Sequence, residues 1–255
     1  MRKKKGFGKG MGILALAVAV FILFSGVGVA AGTVHNNNTG IDYDTIQAAI
    51  DAASAGDEIH VDSGTYYENV NVNKQLKIIG ENSNSVIVIA NDENKSTFEV
   101  RADWVIISGF TVRHVTKISA GIHLNNTNRS NISNNIVLNN HVGIMIYKSR
   151  ENVVTNNDVS HNHYGIPISG SNNNTIRNNT LTSNTYYYPP TYGNTGMGIS
   201  IYDSSDNSLK NNSISHNDYG IYITNSPNGS HNNILSTNNF IENSVQAHDY
   251  YSDNS

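Results

Sequence analysis

Cysteine is absent from all 255 residues, which excludes disulfides and thiolate metal sites together. Positive charge is also scarce, with 16 Lys and Arg against 20 Asp and Glu. Five of those basic residues (Arg2, Lys3, Lys4, Lys5 and Lys9) sit in the first ten positions. Without them the formal charge moves from −4 to about −9. That balance argues against nucleic acid and against unassisted capture of polyanionic polysaccharides.

The basic opening is followed by the apolar run "MGILALAVAVFILF" and by the small residues "SGVGVAAG". This is the layout of a secretory signal peptide over residues 1–31, with cleavage near Ala30 or Ala31. An uncleaved N-terminal anchor is the alternative, because the apolar run approaches spanning length. Either way the remainder is expected outside the cytoplasm, secreted or at the cell surface, with no membrane contact after cleavage. An exported chain without disulfides needs another source of rigidity.

That source is a repeat. Asparagine is the commonest residue, and a Gly-Ile pair begins at Gly121, Gly143, Gly165, Gly198 and Gly220, at intervals of 22, 22, 33 and 22 residues. The longer interval is one repeat plus an 11-residue insertion. Apolar columns keep the same register at Ile122, Ile144, Ile166, Ile199 and Ile221, and again at Ile132, Val154, Ile176 and Leu209. Asn134, Asn156, Asn178 and Asn211 form one polar column beside Asn135, Asn157, Asn179 and Asn212, and Asn140, Asn162, Asn184 and Asn217 form a third. One coil cannot bury its inner face, but coils stacked about 4.8 Å apart form a continuous core. Asparagines in register can hydrogen-bond along the stack as a ladder and tolerate the left-handed backbone of tight turns. The fold expected is an all-β, right-handed parallel β-helix of about 22 residues per coil over residues 58–255.

Residues 32–57 lead into it. "YDTIQAAIDAASAGDEIHV" is expected to hold a short α-helix capped by Asp44, with an apolar stripe of Ile46, Ala49, Ile50 and Ala53, ended by Gly56. Such a helix would cover the first coil's exposed core and strand edges. At the other end "NFIENSVQAHDYYSDNS" supplies no capping helix, so either the chain is truncated there or the open edge of the last coil meets another chain end to end.

The stretch "TIQAAIDAASAGDEIHVDSGTYYENVNVNKQLKIIGEN" resembles the opening of exported β-helix proteins of the pectin-lyase-like group. The "GI-x-I", "N-x-I-x-NN" and "N-x-x-GI" segments resemble the PbH1 repeats of NosD-like proteins, common in surface proteins of methanogenic archaea. The resemblance covers roughly residues 41–250 and implies the fold far more strongly than an activity. Pectinesterases share "GTYYE", Gly64–Glu68, but their later Gln- and Asp-bearing motifs have no counterpart here. The signatures of β-helix glycosidases and alginate epimerases are missing as well, so Tyr66 and Glu68 are expected to serve the first coil's architecture. The NosD name carries a copper-binding label. Cuprous copper prefers Cys and Met, which leaves imidazoles as donors for Cu²⁺ or Zn²⁺.

Histidines do fall in register. Two residues before each Gly-Ile glycine lie Ser119, His141, His163, Gly196 and Asp218, and His161 and His216 occupy the position four before. His141 and His163 are therefore candidate ligands for a divalent metal (Cu, Zn or Ca), with His161 beside them; two imidazoles on neighbouring coils are close enough to share one ion. The alternative is that turn positions simply accept any polar residue. His161, His163 and Asp218 are the catalytic candidates, though no pair of acids has a spacing that demands acid–base chemistry. The insertion "YYYPPTYGNTG" leaves the solenoid just after Thr185 and brings Tyr186, Tyr187, Tyr188 and Tyr192, whose flat faces and hydroxyl rims suit stacking on sugar rings.

Nine N-x-[ST] sequons occur, at Asn37, Asn94, Asn125, Asn128, Asn131, Asn173, Asn178, Asn211 and Asn228. Asn178 and Asn211 are expected to point inward, which leaves Asn125 or Asn228 as the better glycosylation candidates. Taken together, these features predict a non-catalytic, exported β-helix whose partner is extracellular or cell-wall glycan. A lyase or epimerase, a NosD-like metal binder and a purely structural surface-layer element are the alternatives.

Overall fold

The computed structural model describes residues 32–113, 115, 117, 119–185, 195–224 and 229–250. The leader, the tyrosines of the insertion and Asn228 lie outside the described residues. The chain winds as a right-handed parallel β-helix of about seven turns, averaging about 24 residues each. Every full turn places one strand on each of three sheets. Asn131–Ser133, Ile136–Leu138 and Val142–Tyr147 form one such turn, and Val153–Thr155, Asp158–Ser160 and Tyr164–Ser169 form the next. Strands pair in parallel from coil to coil, with Ile132 opposite Val154, Val137 opposite Val159 and Ile122 opposite Ile144. The step is 22 residues in the regular coils, 33 across the insertion and 26 in the coil after it.

Alternation within each strand builds the core. Ile122, Ile132, Val137, Ile144, Val154, Val159, Ile166 and Ile176 are all fully buried. Their apolar area supplies most of the driving force for stacking. The glycine of each Gly-Ile pair is required by that same stacking. A Cβ on Gly143 would stand 2.6 Å from both the Gly165 carbonyl oxygen and Val159 Cγ1.

Corners between strands obey one rule. In the regular coils a residue in the left-handed region comes first and points out, and a polar residue follows and points in; in the coil before them Val105 and Phe110 take that inward place after Trp104 and Gly109. Asn134, Asn156, Asn178 and Asn211 all have φ between 55° and 57°, whereas Asn135, Asn157, Asn179 and Asn212 are buried. The expectation that Asn178 and Asn211 point inward is therefore corrected: both are exposed, because positive φ turns their side chains away from the core. Asn157 illustrates the inward residue. Its Nδ2 donates to Asn179 Oδ1 at 3.0 Å and to the Ile132 carbonyl at 2.9 Å, while its Oδ1 accepts from Asn135 Nδ2 and from the Asn135 backbone N–H. All its donors and acceptors are thus used. The same bonding recurs along Asn140, Asn162, Asn184, Asn217 and Asn243. It recurs again along Asn152, Asn174, Asn207 and Asn233, while Ser149, Ser171 and Ser204 accept backbone N–H groups at the fourth corner.

The N-terminal end is closed by a helix, α1 (Ile46–Ala52), whose Ile46, Ala49 and Ile50 are buried. Its cap is Thr45, not Asp44: the Thr45 hydroxyl accepts from Ala48 N. It ends at Ala53, before Gly56, whose φ of 95° turns the chain into the first strand of the coil. Glu68 closes the first turn, its two carboxylate oxygens each accepting a backbone N–H from Ile46 or Gln47 at 2.9 Å. A carboxylate there also meets the positive end of the helix dipole. Tyr66 is 2% exposed and donates to the Asp62 carbonyl, and burial pushes its phenol up to about 12. Both residues of "GTYYE" are accounted for by architecture.

The corner rule makes a sharp prediction. Asn157→Ala strands the Asn135 backbone N–H, takes one acceptor from Asn135 Nδ2 and removes the amide bonds to the Ile132 carbonyl and the Asn179 oxygen, and should lower unfolding free energy by about 3 kcal/mol or more. Asn156→Gly keeps the left-handed turn and should change it by less than about 0.5 kcal/mol. Urea midpoints of the two variants measure the difference; equal midpoints would refute the rule.

Candidate functional site

The corner between the second and third sheets carries the histidines. At Asn139, His161, Ser183 and His216 the chain takes positive φ, and Asn140, Asn162, Asn184 and Asn217 then turn inward. The next residue faces out: His141 on one coil and His163 on the next. Their rings meet edge to face, 5.0 Å between centroids. His163 stacks on Tyr164 at 3.9 Å, and Tyr164 also meets the edge of His141 at 5.7 Å. His161 occupies the left-handed position, is exposed, and joins none of these ring contacts among the described residues. The expectation of His161 beside the pair is corrected for that reason.

The insertion is pinched shut next to this cluster. A Cβ on Gly196 would stand 2.3 Å from Thr185 Cα, so the two ends of the insertion touch at a residue that must be glycine. Asp218 Oδ2 accepts the Gly196 N–H at 2.7 Å, which commits the carboxylate to holding that junction. Burial pushes the His141 imidazole down. Burial and then the neighbouring His141 push His163 down to about 4, against a smaller upward pull from Asp218 and a backbone hydrogen bond at Thr195. Both rings are therefore neutral at neutral pH. Among the described residues no three His, Asp or Glu side chains gather where they could hold a metal ion, which leaves His141 and His163 as two donors without a third.

A second cluster escaped the sequence. On the outer face of the third sheet Glu99 and His123 stand opposite each other on adjacent strands, Phe98–Val100 and Ala120–Asn125. Glu99 accepts from His123 Nδ1 at 2.9 Å, from Asn125 Nδ2 at 2.8 Å and from Arg101 Nε at 3.0 Å. Burial alone would raise its carboxyl. The hydrogen bonds from His123 and Asn125, the charge of His123 and the hydrogen bond from Arg101 win and hold it down to about 2. A carboxylate so low is a fixed negative charge at neutral pH and no proton donor. It orients His123 and Arg101 beside a groove of about 450 Å³ lined by Asn69, Asn71, Lys95, Ser96 and Arg101. These coils precede the regular repeat. The available signal was the alignment of "TFEV" with "GIHL", which sets Glu99 against His123.

At the other end the same face carries rings. Tyr222 stacks on His248 at 5.2 Å with 11° between planes, Tyr219 meets the edge of both, and Tyr250 continues beyond His248 at 6.1 Å.

The imidazole pair gives a pH test. The folded chain resists protonating His163 between about pH 6.5 and pH 4, whereas the unfolded chain accepts the proton. The stability at stake is therefore present above pH 6.5 and lost as pH falls toward 4. Discounted for solvent around half-buried rings, it amounts to about 1–2 kcal/mol. His163→Gln should flatten the stability–pH curve in that window relative to the parent chain. Parallel curves would show that the ring is not held neutral.

Comparison with known proteins follows the same outline. The chain is 36% identical over 121 residues to a cell surface glycoprotein of Methanothermus fervidus, a match covering 46% of this chain and 20% of that protein. Among solved structures it resembles ORF18 of Geobacillus virus E2, with a TM-score of 0.57 at 13% identity over 83% of this chain and 57% of that one. It also aligns with PfbA, a surface adhesin of Streptococcus pneumoniae, with a TM-score of 0.46 at 14% identity over 84% of this chain and 60% of that one. At 13% identity the likeness to the viral protein is one of fold alone. Residues 50–255 match the model of a family described as periplasmic copper-binding protein (NosD), and the chain belongs to that NosD family.

Proposed function

We propose that this chain is a cell-surface β-helix protein that binds extracellular glycan across the outer face of its third sheet, with Tyr186–Tyr192 as an added contact. The observation that carries this reading is the contiguous set of rings formed by Tyr219, Tyr222, His248 and Tyr250. Aromatic faces rimmed by hydroxyls suit the apolar faces and polar edges of sugars. Rows of this kind on a rigid solenoid present several subsites at a fixed spacing. The negative balance of the chain favours a neutral glycan. The homologous archaeal protein is itself a surface glycoprotein, which supports the location.

The chemistry of the described residues favours binding over turnover. The carboxylates whose titration is displaced, Asp57, Glu81, Asp92 and Glu99, are all displaced downward, away from the range of a general acid. Asp218 is tied to Gly196, and His161 stands apart from His163. The copper of the family's description does not fit the donor set either. The chain has no Cys, and its described His, Asp and Glu side chains form no three-donor cluster.

Glycan arrays and pull-downs with surface polysaccharide test the proposal. Replacing Tyr222 and His248 together by Ala should weaken binding by about tenfold or more, since each ring contributes about 1 kcal/mol. Replacing the tyrosines of 186–192 by Ser should weaken it further. Retention by neither the parent nor the variants, or equal retention by all, defeats this function.

A further inference from the structure

The corner rule sorts the sequons. In N-linked modification the amide nitrogen of the asparagine must be available and the hydroxyl two residues on must be accessible to the transferase. Asn37, Asn94, Asn125 and Asn128 each donate that nitrogen to a carboxylate, on Glu58, Asp92, Glu99 and Asp103 respectively. The hydroxyl residues Ser96, Thr127, Ser130 and Ser133, which complete the sequons of Asn94, Asn125, Asn128 and Asn131, are all buried. Asn211 is exposed, but its Oδ1 accepts from the Thr237 hydroxyl.

Asn173 and Asn178 differ from all of these. Both are exposed and, like Asn211, have positive φ (59° and 57°), but in neither does the side-chain amide make a hydrogen bond to a described residue. In each sequon the middle residue is locked inward. Asn174 Nδ2 bonds to Asn207 Oδ1 at 3.0 Å and Asn179 Nδ2 to Asn212 Oδ1 at 3.1 Å. That lock holds the first asparagine out and starts the next strand at Thr175 or Thr180; Thr180 is exposed and Thr175 half-buried.

We propose that Asn173 and Asn178 are N-glycosylation sites, so that glycans border the first sheet's strand Thr175–Arg177 and leave the third sheet's outer face clear. The co-reactant is a lipid-linked sugar phosphate. Its C1–O bond breaks, a C1–Nδ2 bond forms, one amide proton leaves and the phosphate departs with the lipid. The two sites flank one strand, one at the corner before Thr175 and one at the corner after Arg177. This assignment is independent of what the third sheet binds.

The full chain is exported from a host whose N-glycosylation is verified on a control acceptor in the same culture, and its glycopeptides are read by mass spectrometry. Glycan on the Asn173 and Asn178 peptides, with bare Asn125 and Asn128, is the expected result. Asn178→Gly keeps the left-handed turn and should remove one glycan mass with an unchanged melting temperature. Thr180→Ala should remove the same mass with Asn178 still in place, and carries the test if the glycine variant folds poorly. Bare Asn173 and Asn178 in that preparation, or glycan on Asn125 or Asn128 instead, overturns the assignment.

Discussion

Everything in the regular coils depends on the inward polar side chain at each corner, an amide at three corners and a serine at the fourth. A strand that turns a corner leaves backbone N–H and C=O groups with no partner in any sheet, and the corners lie against an apolar core where water cannot reach them. Asn157 and its equivalents meet that need by accepting the backbone N–H of the preceding coil, donating to a carbonyl there, and passing a second donor to the asparagine of the next coil. A single buried orphan would cost about 1–3 kcal/mol, and every turn has four corners to satisfy. The apolar columns provide the force that closes the coils. The amides provide the register, because a slip of one residue would move each inward amide out of reach of its partners on the neighbouring coils.

Satisfying the corners also explains the backbone. For a side chain to return to the axis immediately after a strand, the preceding residue must reverse direction, and positive φ does this in one step. Asparagine accepts that conformation at small cost, which is why the Asn-Asn pair recurs. Lys148, Glu151, His161 and His216 hold the same conformation at other corners, where their side chains lie on the exposed surface and Glu151 and His216 pair there with Arg129 and Glu242. His161 is thus explained by its backbone position. His163, two residues on, faces its neighbour His141 and the root of the insertion.

The periodic part of the architecture was legible in the sequence because its physics is periodic. Gly143 repeats for want of space, Ile144 for burial and Asn157 for hydrogen bonding, so each column reads directly off a fixed interval. Which member of an Asn-Asn pair faces inward was not legible, since both columns are equally regular; only backbone φ separates Asn178 from Asn179. The Ser149 and Asn152 columns were harder still, because Thr127 and Ser130 replace the repeat residue at their first coil. Thr45 took the cap from Asp44 because the two residues are adjacent and either side chain could serve; the backbone decides between them. Glu99 and His123 come together across coils of unequal length, where no fixed interval points from one to the other.

Irregularity is where this fold has freedom to differ. Inward positions are constrained on every coil by packing or by amide bonding, whereas an outward residue on the third sheet contacts solvent and its two coil neighbours only. Those strands are six residues long in the regular coils, against three on the other sheets, and so offer the most outward positions per turn. The outward column opens with Asn71, Glu99 and His123 and closes with Ser200, Tyr222 and His248. Its chemistry thus changes from charged and hydrogen-bonded to aromatic along the axis while the core beneath it hardly changes. A ligand long enough to span several coils would meet both ends of that gradient at once, with its direction along the axis set by them. A ligand of one or two residues would select one end. Polarity along the stack is therefore the property of this surface most open to selection, and it follows from a fold in which the repeat fixes the interior and leaves the exterior unassigned.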